Sequence, residues 1–277
     1  MIKETKKQKN PVTIIIVIAL LISFMFNTIL FFTLLALALV YLFITKGYFI
    51  KVIKGSKAYK REEYSEALKH YRKAVQAKNV SGSVISGYLL MELKNGDIKK
   101  AEQYVNDNLT TRSFNSRDYA DLLLCQSIIL WKVDKHSEAI ELLKENLADN
   151  KSTVLYETLS SYLIISNRFD EAKELIEEGL EYNDISKVLK SNLAECTYLS
   201  GDEDTASELF KVLVEEKVNF MEPYYYTGIC LHKNKNYPEA IDMFNEALNK
   251  NDSLVSLVTR AQVEKALEAV TFKSFGE

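Results

Sequence analysis

Glycine, proline and cysteine are scarce in this chain of 277 residues, which contains nine, three and three of them. So few glycines and prolines argue against sheets and long loops, whose turns depend on those two residues. The cysteines Cys125, Cys196 and Cys230 are odd in number and widely spaced, which predicts reduced core residues and neither disulfides nor a metal site. With 47% hydrophobic residues, an all-helical chain with a continuous core is expected.

Sequence patterns that support catalysis are also lacking. The three histidines are isolated and none begins an H-E-x-x-H motif, and no C-x-x-C occurs. The only G-x-x-x-x-G, from Gly82 to Gly87, is not followed by the Lys-Ser/Thr that binds phosphates. Adjacent glutamates such as Glu177-Glu178 are typical of solvated helix faces. We therefore expect a non-enzyme with no cofactor and no metal.

Acidic residues are nearly absent from the first 61 residues, which carry ten Lys/Arg and Glu4 as the only acid. The remainder holds 25 basic and 37 acidic residues, so its formal charge is −12. Binding to nucleic acid needs Lys and Arg clustered along one face. The acidic body therefore predicts that nucleic acid is not a partner.

Charge is absent altogether from residues 12–44, between two basic clusters. A straight helix of these 33 residues would be about 50 Å long, beyond the ~30 Å hydrocarbon core of a bilayer. Because Asn27 lies near the centre, we predict a transmembrane segment at 12–45 that forms two short helices turning near Asn27. Lysines flank both outer ends, so the positive-inside rule places a basic tail (1–11) and the rest of the chain in the cytoplasm.

Two alternatives to this hairpin stay open. A single tilted helix would cross the membrane once and leave the later part of the chain outside. A secretory signal would be removed, but the apolar run is about twice as long as the core of such a signal and no small-residue cleavage site follows it. The expected location is therefore the cell membrane with two spans, with bilayer lipid as one partner.

A small residue recurs at a regular interval in the rest of the chain. The steps between successive alanines along the chain are 34, 38, 33, 34 and 34 residues, and an aromatic or aliphatic residue follows each alanine four places on. A small residue at this position of a helix lets two backbones approach closely. The alanines are Ala67, Ala101, Ala139, Ala172, Ala206 and Ala240.

The pattern resembles the tetratricopeptide repeat (TPR) family. In the last copy the family's signature positions hold Tyr224, Gly228, Leu231, Tyr237, Ala240, Phe244 and Ala247, and Asp252 replaces the usual closing proline. The resemblance implies an all-α TPR superhelix of about six helix-turn-helix repeats and a C-terminal capping helix. The array is expected at 46–252, with repeats at about 48–81, 82–115, 120–153, 153–186, 187–220 and 221–252, and the cap and tail at 253–277.

Two places depart from the regular array. The step of 38 residues puts about four extra residues into a polar linker, Thr110–Arg117. The cap is expected to be one helix, Ser253–Val270, that ends the array with a polar outer face. Its inward positions are expected to be Val258, Ala261, Gln262 and Lys265.

The resemblance also implies that the first helix of each repeat lines a concave groove for a protein or peptide ligand. We expect binding to centre on repeats five and six, because aromatic anchors beside acidic groups favour a segment that carries apolar and Lys/Arg side chains. The expected groove residues are Glu195, Tyr198, Glu222, Tyr225, Ile229 and His232.

Two functions are consistent with this organisation. The first is a membrane-anchored, non-catalytic scaffold that presents the groove at the cytoplasmic face of a bacterial-type membrane. The second is an integral-membrane assembly subunit, whose hairpin binds another membrane protein while the repeats position or oligomerise it. Self-association of the chain is open in both.

Overall fold

The structure is a computed structural model that describes residues 3–4, 11–108, 112–251 and 253–274. Most of the predicted basic tail and the closing position Asp252 lie outside the described residues. The chain divides into two compact units, Met1–Val133 and Asp134–Glu277. Each unit is built from consecutive helices joined by short turns.

In the first unit, the helices after residue 47 pack in sequence order. α3 packs on α4, α4 on α5, and α7 on both α5 and α6. The helices are α1 (Pro11–Phe26), α2 (Thr28–Lys46), α3 (Tyr48–Lys60), α4 (Tyr64–Val75), α5 (Gly82–Asn95), α6 (Ile98–Asn108) and α7 (Ser116–Lys132).

The second unit contains eight helices within the described residues. Each helix packs on the next one along the chain, from α8 to the last helix. The helices are α8 (His136–Asp149), α9 (Thr153–Ile165), α10 (Phe169–Tyr182), α11 (Lys187–Leu199), α12 (Glu203–Glu215), α13 (Glu222–Lys233), α14 (Tyr237–Leu248) and α15 (Arg260–Ser274).

The same turn joins α9 to α10, α11 to α12 and α13 to α14. In each turn one residue has a left-handed backbone, and these residues, Asn167, Gly201 and Lys235, are 34 positions apart. The next backbone N–H reaches back five residues to a carbonyl, for example from Arg168 to Leu163 at 2.9 Å. This is the Schellman arrangement, which satisfies carbonyls that the end of a helix leaves free. The regular spacing of the repeat is therefore matched by a regular turn.

The recurring alanines lie in the interior of the two units. All six are fully buried, with exposed fractions of 0%. Gly228 has the same role on the facing helix, because a Cβ built there would lie 2.7 Å from Cε1 of the buried Phe244. Small residues at these positions allow the close approach of helices that the sequence predicted.

A short parallel strand pair accompanies the helices of the first unit. β1 (Lys3–Glu4) pairs with β2 (Ser113–Phe114), with Lys3 opposite Ser113 and Glu4 opposite Phe114. β2 lies in the linker that contains the extra residues. No sequence pattern predicted a strand of two residues, and the fold remains all-α.

Asn27 interrupts the uncharged run, because α1 ends just before it and α2 begins just after it. Its side chain caps α2 by accepting a hydrogen bond from the backbone N–H of Leu30 at 3.0 Å. The 16 residues of α1 span about 24 Å and the 19 residues of α2 span about 28 Å, both less than a ~30 Å bilayer core.

Across the described ranges, no helix combines the length and the apolar character that a membrane crossing requires. The prediction of a two-span cell-membrane protein with a transmembrane hairpin at 12–45 is therefore wrong, and bilayer lipid is not supported as a partner.

The last helix begins later than predicted. α15 starts at Arg260 and not at Ser253, because serines in the preceding segment bond to nearby backbone groups and compete with the helix. Ser253 Oγ, for example, accepts a hydrogen bond from the backbone N–H of Val255 at 3.2 Å. The buried residues of this region are Val258, Val263 and Val270, whereas Ala261, Gln262 and Lys265 are exposed.

Candidate functional site

The six residues expected in the groove lie on two first helices of the second unit, α11 and α13. Ser186 begins α11, because its Oγ accepts a hydrogen bond from the N–H of Leu189 at 3.1 Å. Pro223 lies in the first turn of α13, where its missing N–H costs nothing. We call the surface formed by Glu195, Tyr198, Glu222, Tyr225, Ile229 and His232 the α11–α13 surface.

Glu195 lies at the base of this surface and is fully buried, with an exposed fraction of 0%. Its Oε1 accepts a hydrogen bond from Ser191 Oγ at 3.0 Å, while its Oε2 is buried without a hydrogen-bond partner. Burial raises the pKa of this carboxyl well above 4.5, the neighbouring Glu222 raises it further, and the Ser191 hydrogen bond acts in the opposite direction.

Glu222 provides the second carboxyl group and is also buried. Ser256, from the segment that precedes α15, donates a hydrogen bond from its hydroxyl to Glu222 Oε1. Since Glu222 in turn raises the pKa of Glu195, the two carboxyl groups interact across the α11–α13 boundary. Burial of two interacting acidic groups favours the protonated form of Glu195.

The aromatic side chains are organised around Tyr226, a residue that the sequence analysis did not select. Its ring stacks on Phe210 with ring centroids 4.9 Å apart and 6° between the planes. The rings of Tyr198 and Tyr225 lie 5.0 and 5.2 Å from it. Burial raises the pKa of the Tyr226 hydroxyl, with a further contribution from Glu195. Tyr226 therefore links the acidic base to the aromatic rim.

Tyr198 and Tyr225 form this rim and are each half-buried. Lys233 covers one face of Tyr198, with its Nζ 5.1 Å from the ring centroid, and is held there by an ion pair with Glu203 at 2.6 Å. Tyr225 also lies 6.0 Å from the ring of the buried Phe244. Both tyrosines therefore pack on the core through one side and leave part of the ring accessible.

Ile229 and His232 continue the same face of α13 and are half-buried. The His232 ring lies 5.6 Å from that of Tyr237, and its Nδ1 is buried without a partner. Burial lowers the pKa of this imidazole, and Lys273 on α15 lowers it further. The neutral imidazole is therefore the form favoured at this end of the surface.

The structure thus brings the six expected residues onto neighbouring helices, but it buries the two glutamates. It adds Tyr226 and Ser256, whose roles depend on contacts between elements and could not be read from one repeat. It also adds Ser191, which the i, i+4 spacing from Glu195 on α11 could have indicated. Among the described residues no group of three or more His, Cys, Asp or Glu side chains is arranged to hold a metal ion. The arrangement offers acid beneath an aromatic rim, which suits recognition of a cation attached to an apolar group.

No family model matches the chain. It is similar to the solved structure of a tetratricopeptide repeat protein from Parabacteroides merdae, with a TM-score of 0.52, 11% identity, and coverage of 82% of this chain and 99% of that one. It is also similar to PilF from Pseudomonas aeruginosa, with a TM-score of 0.55, 16% identity, and coverage of 73% and 91%.

A further similar structure is a dimer of human IFIT1 with PPP-AAAA, at a TM-score of 0.61 and 16% identity. The match covers 81% of this chain and 55% of that one, so the chain spans a little over half its length. At such identities these structures establish the fold alone. The TPR fold that the sequence predicted is confirmed.

Proposed function

We propose that this protein is a non-catalytic scaffold whose α11–α13 surface binds a protein segment that carries a Lys or Arg beside apolar side chains. The residues belong to the expected repeats 187–220 and 221–252. One observation carries the proposal, which is the unpartnered, buried Oε2 of Glu195 beneath the half-buried rings of Tyr198 and Tyr225. The TPR fold supports it in general terms, because such repeats present the first helices as a binding surface.

The chemistry of the surface supports a cationic ligand over an anionic one. Glu195 and Glu222 lie close enough to interact, and an added ammonium or guanidinium would offset their repulsion. The aromatic rim would pack on the methylenes of a long basic side chain, and ring faces attract its charge. Lys233 already makes such a contact with Tyr198 within the chain.

The test uses short fluorescent peptides of leucine and lysine, with leucine-glutamate peptides of equal length as the probe control. We expect the full chain to bind the leucine-lysine peptide, and Tyr225→Ala and Tyr198→Ala each to weaken binding about thirtyfold, the equivalent of ~2 kcal/mol. Tyr182→Ala, at an exposed tyrosine of α10, is the matched control and should leave binding unchanged.

Thermal unfolding of the same variants separates binding from packing. Unchanged melting with weakened binding supports the surface, whereas lowered melting with full binding by the folded fraction assigns both tyrosines to the core and refutes the site. Equal binding of lysine and glutamate peptides would refute the cationic specificity.

A second candidate working surface is favoured by the exposed apolar side chains of α1 and α2. Phe26 and Ile29, on either side of Asn27, are each 81% exposed. Exposed apolar patches of this kind mark interaction sites. If this surface is the working one, α1 and α2 bind an apolar helix of another protein, and the remaining helices position that protein.

Comparing the full chain with a fragment of residues 47–277 separates the two candidates. If the fragment binds the leucine-lysine peptide as tightly as the full chain does, the α11–α13 surface is sufficient. If binding requires residues 11–46, the second candidate is supported and the first is not.

A further inference from the structure

Asn108 at the end of α6 and residues 112–114 before α7 form one side of a polar cavity in the first unit. The cavity has a volume of about 520 Å³. Its other side is the segment Lys78–Val80, which precedes α5. The volume lies within the ~300–1,000 Å³ range of pockets that hold small organic ligands. We call it the linker cavity.

The lining of the linker cavity is basic. Lys78 and Arg112 contribute an ammonium and a guanidinium group, and Asn79 and Asn108 contribute amides. None of the described residues that line it is acidic. The described residues of the lining therefore present two positive charges and several hydrogen-bond donors, and no carboxylate.

Arg112 provides the observation that points to a ligand. Its Nη1 is buried and has no hydrogen-bond partner. A guanidinium group can only donate, and a buried donor without an acceptor is costly, so such groups are rare unless something else supplies the acceptor.

The surrounding charge favours an anion as that acceptor. Residues 48–81, which include Lys78, carry nine Lys/Arg and three Glu. The closest acid of the next helix, Asp118, already accepts hydrogen bonds from the N–H of Gly82 at 3.1 Å and from Asn115 Nδ2 at 3.0 Å.

We propose that the linker cavity binds a small organic phosphate, with Arg112 and Lys78 holding the phosphate group and the buried Val80 and Phe114 contacting its apolar part. Two cationic groups match a phosphate monoester, which carries a charge of about −1.5 to −2 near neutral pH. Guanidinium groups bind phosphate oxygens through paired, charge-assisted hydrogen bonds. The site is separate from the α11–α13 surface and does not depend on its proposed role.

The probe is phenyl phosphate, titrated into the full chain by calorimetry at constant ionic strength, with benzoate as the carboxylate counterpart. We expect binding of phenyl phosphate, weaker binding of benzoate, and a loss of about tenfold or more in Arg112→Gln. Lys78→Gln should also weaken binding, and it is the safer variant for folding because Lys78 is exposed. Lys100→Gln, at an exposed lysine of α6 that does not line the cavity, is the charge-matched control.

The outcomes decide the proposal. Absence of phenyl phosphate binding, or equal affinity in the wild type and both cavity variants, overturns the site. Benzoate binding as tight as that of phenyl phosphate overturns the assignment to phosphate. Tighter binding of a phosphotyrosine peptide than of phenyl phosphate overturns the assignment to a small ligand, because the same chemical group would then be recognised as part of a protein.

Discussion

Arg72 on α4 holds the buried carboxylate of Glu92 on α5 through two hydrogen bonds. Nε lies 2.6 Å from Oε1 and Nη2 lies 2.9 Å from Oε2. Glu92 is fully buried, and its Oε2 also accepts a hydrogen bond from the backbone N–H of Asp97 at 3.1 Å, in the turn that follows α5. One ion pair therefore joins two neighbouring helices and the turn after them.

Replacing Arg72 by methionine should destabilise the first unit. The change keeps an unbranched side chain but leaves the Glu92 carboxylate buried without a counter-ion, which costs about 3 kcal/mol. Urea unfolding measures the effect, and Lys73→Met, at an exposed neighbour, is the control. Equal stability of the two variants would show that Glu92 is satisfied without Arg72.

Gly228→Ala and Gly87→Ala should change stability in opposite directions. At Gly228 the new methyl would meet Phe244 Cε1 at 2.7 Å and overpack the core, which costs about 1–3 kcal/mol. At Gly87 the nearest atom is Tyr71 Cε1 at 3.8 Å, so the helix-forming preference of alanine adds about 0.5–1 kcal/mol of stability. Thermal melting of both variants checks the pair, and destabilisation by Gly87→Ala would contradict the space seen there.

Asn192→Ala should weaken the contact between α9 and α11. The buried amide nitrogen of Asn192 donates to Ser160 Oγ at 2.8 Å and lies 3.0 Å from Ser161 Oγ. Its loss leaves buried hydroxyl groups without this donor, at a cost of about 2 kcal/mol. Denaturant unfolding measures the loss, with Asn234→Ala at an exposed helix end as control. Equal stability of the two variants would mean that water replaces the amide.

Glu195→Gln should flatten the dependence of stability on pH. The pKa of Glu195 is raised above 4.5 in the folded chain. Between pH 4.5 and this raised pKa, the folded state therefore binds more protons than the unfolded state. Stability therefore falls as the pH rises through that window, and glutamine, which stays neutral, removes this contribution.

We expect the melting temperature of Glu195→Gln, relative to the wild type, to increase as the pH rises from 4.5 towards the raised pKa of Glu195. The groups that face Glu195 and influence its titration are Glu222, Ser191 and Tyr226. Glu208→Gln, at an exposed position of α12, is the control and should show no such trend. Parallel pH profiles for Glu195→Gln and the wild type would contradict a raised pKa.

The amino-acid sequence by itself determined the repeat and the fold. A small residue every ~34 positions, with apolar residues at helical spacing around it, specifies pairs of helices that approach closely, and those are local properties of the chain. The six alanines are accordingly buried, and the turns after α9, α11 and α13 share one backbone geometry. The sequence also indicated the break near Asn27, but not that it leaves helices too short to support the membrane prediction.

Only the tertiary structure decided which polar side chains meet. Arg72 and Glu92 are 20 positions apart, and Asn192 and Ser160 are 32 apart, so their contacts depend on how one helix rotates against the next. The packing of the helices likewise buries Glu195, and the segment between α6 and α7 places Arg112 at a cavity. Periodicity shows which face of a helix is apolar. The partner of a buried polar atom is fixed by distances between helices, and the pattern of a single helix does not contain those distances.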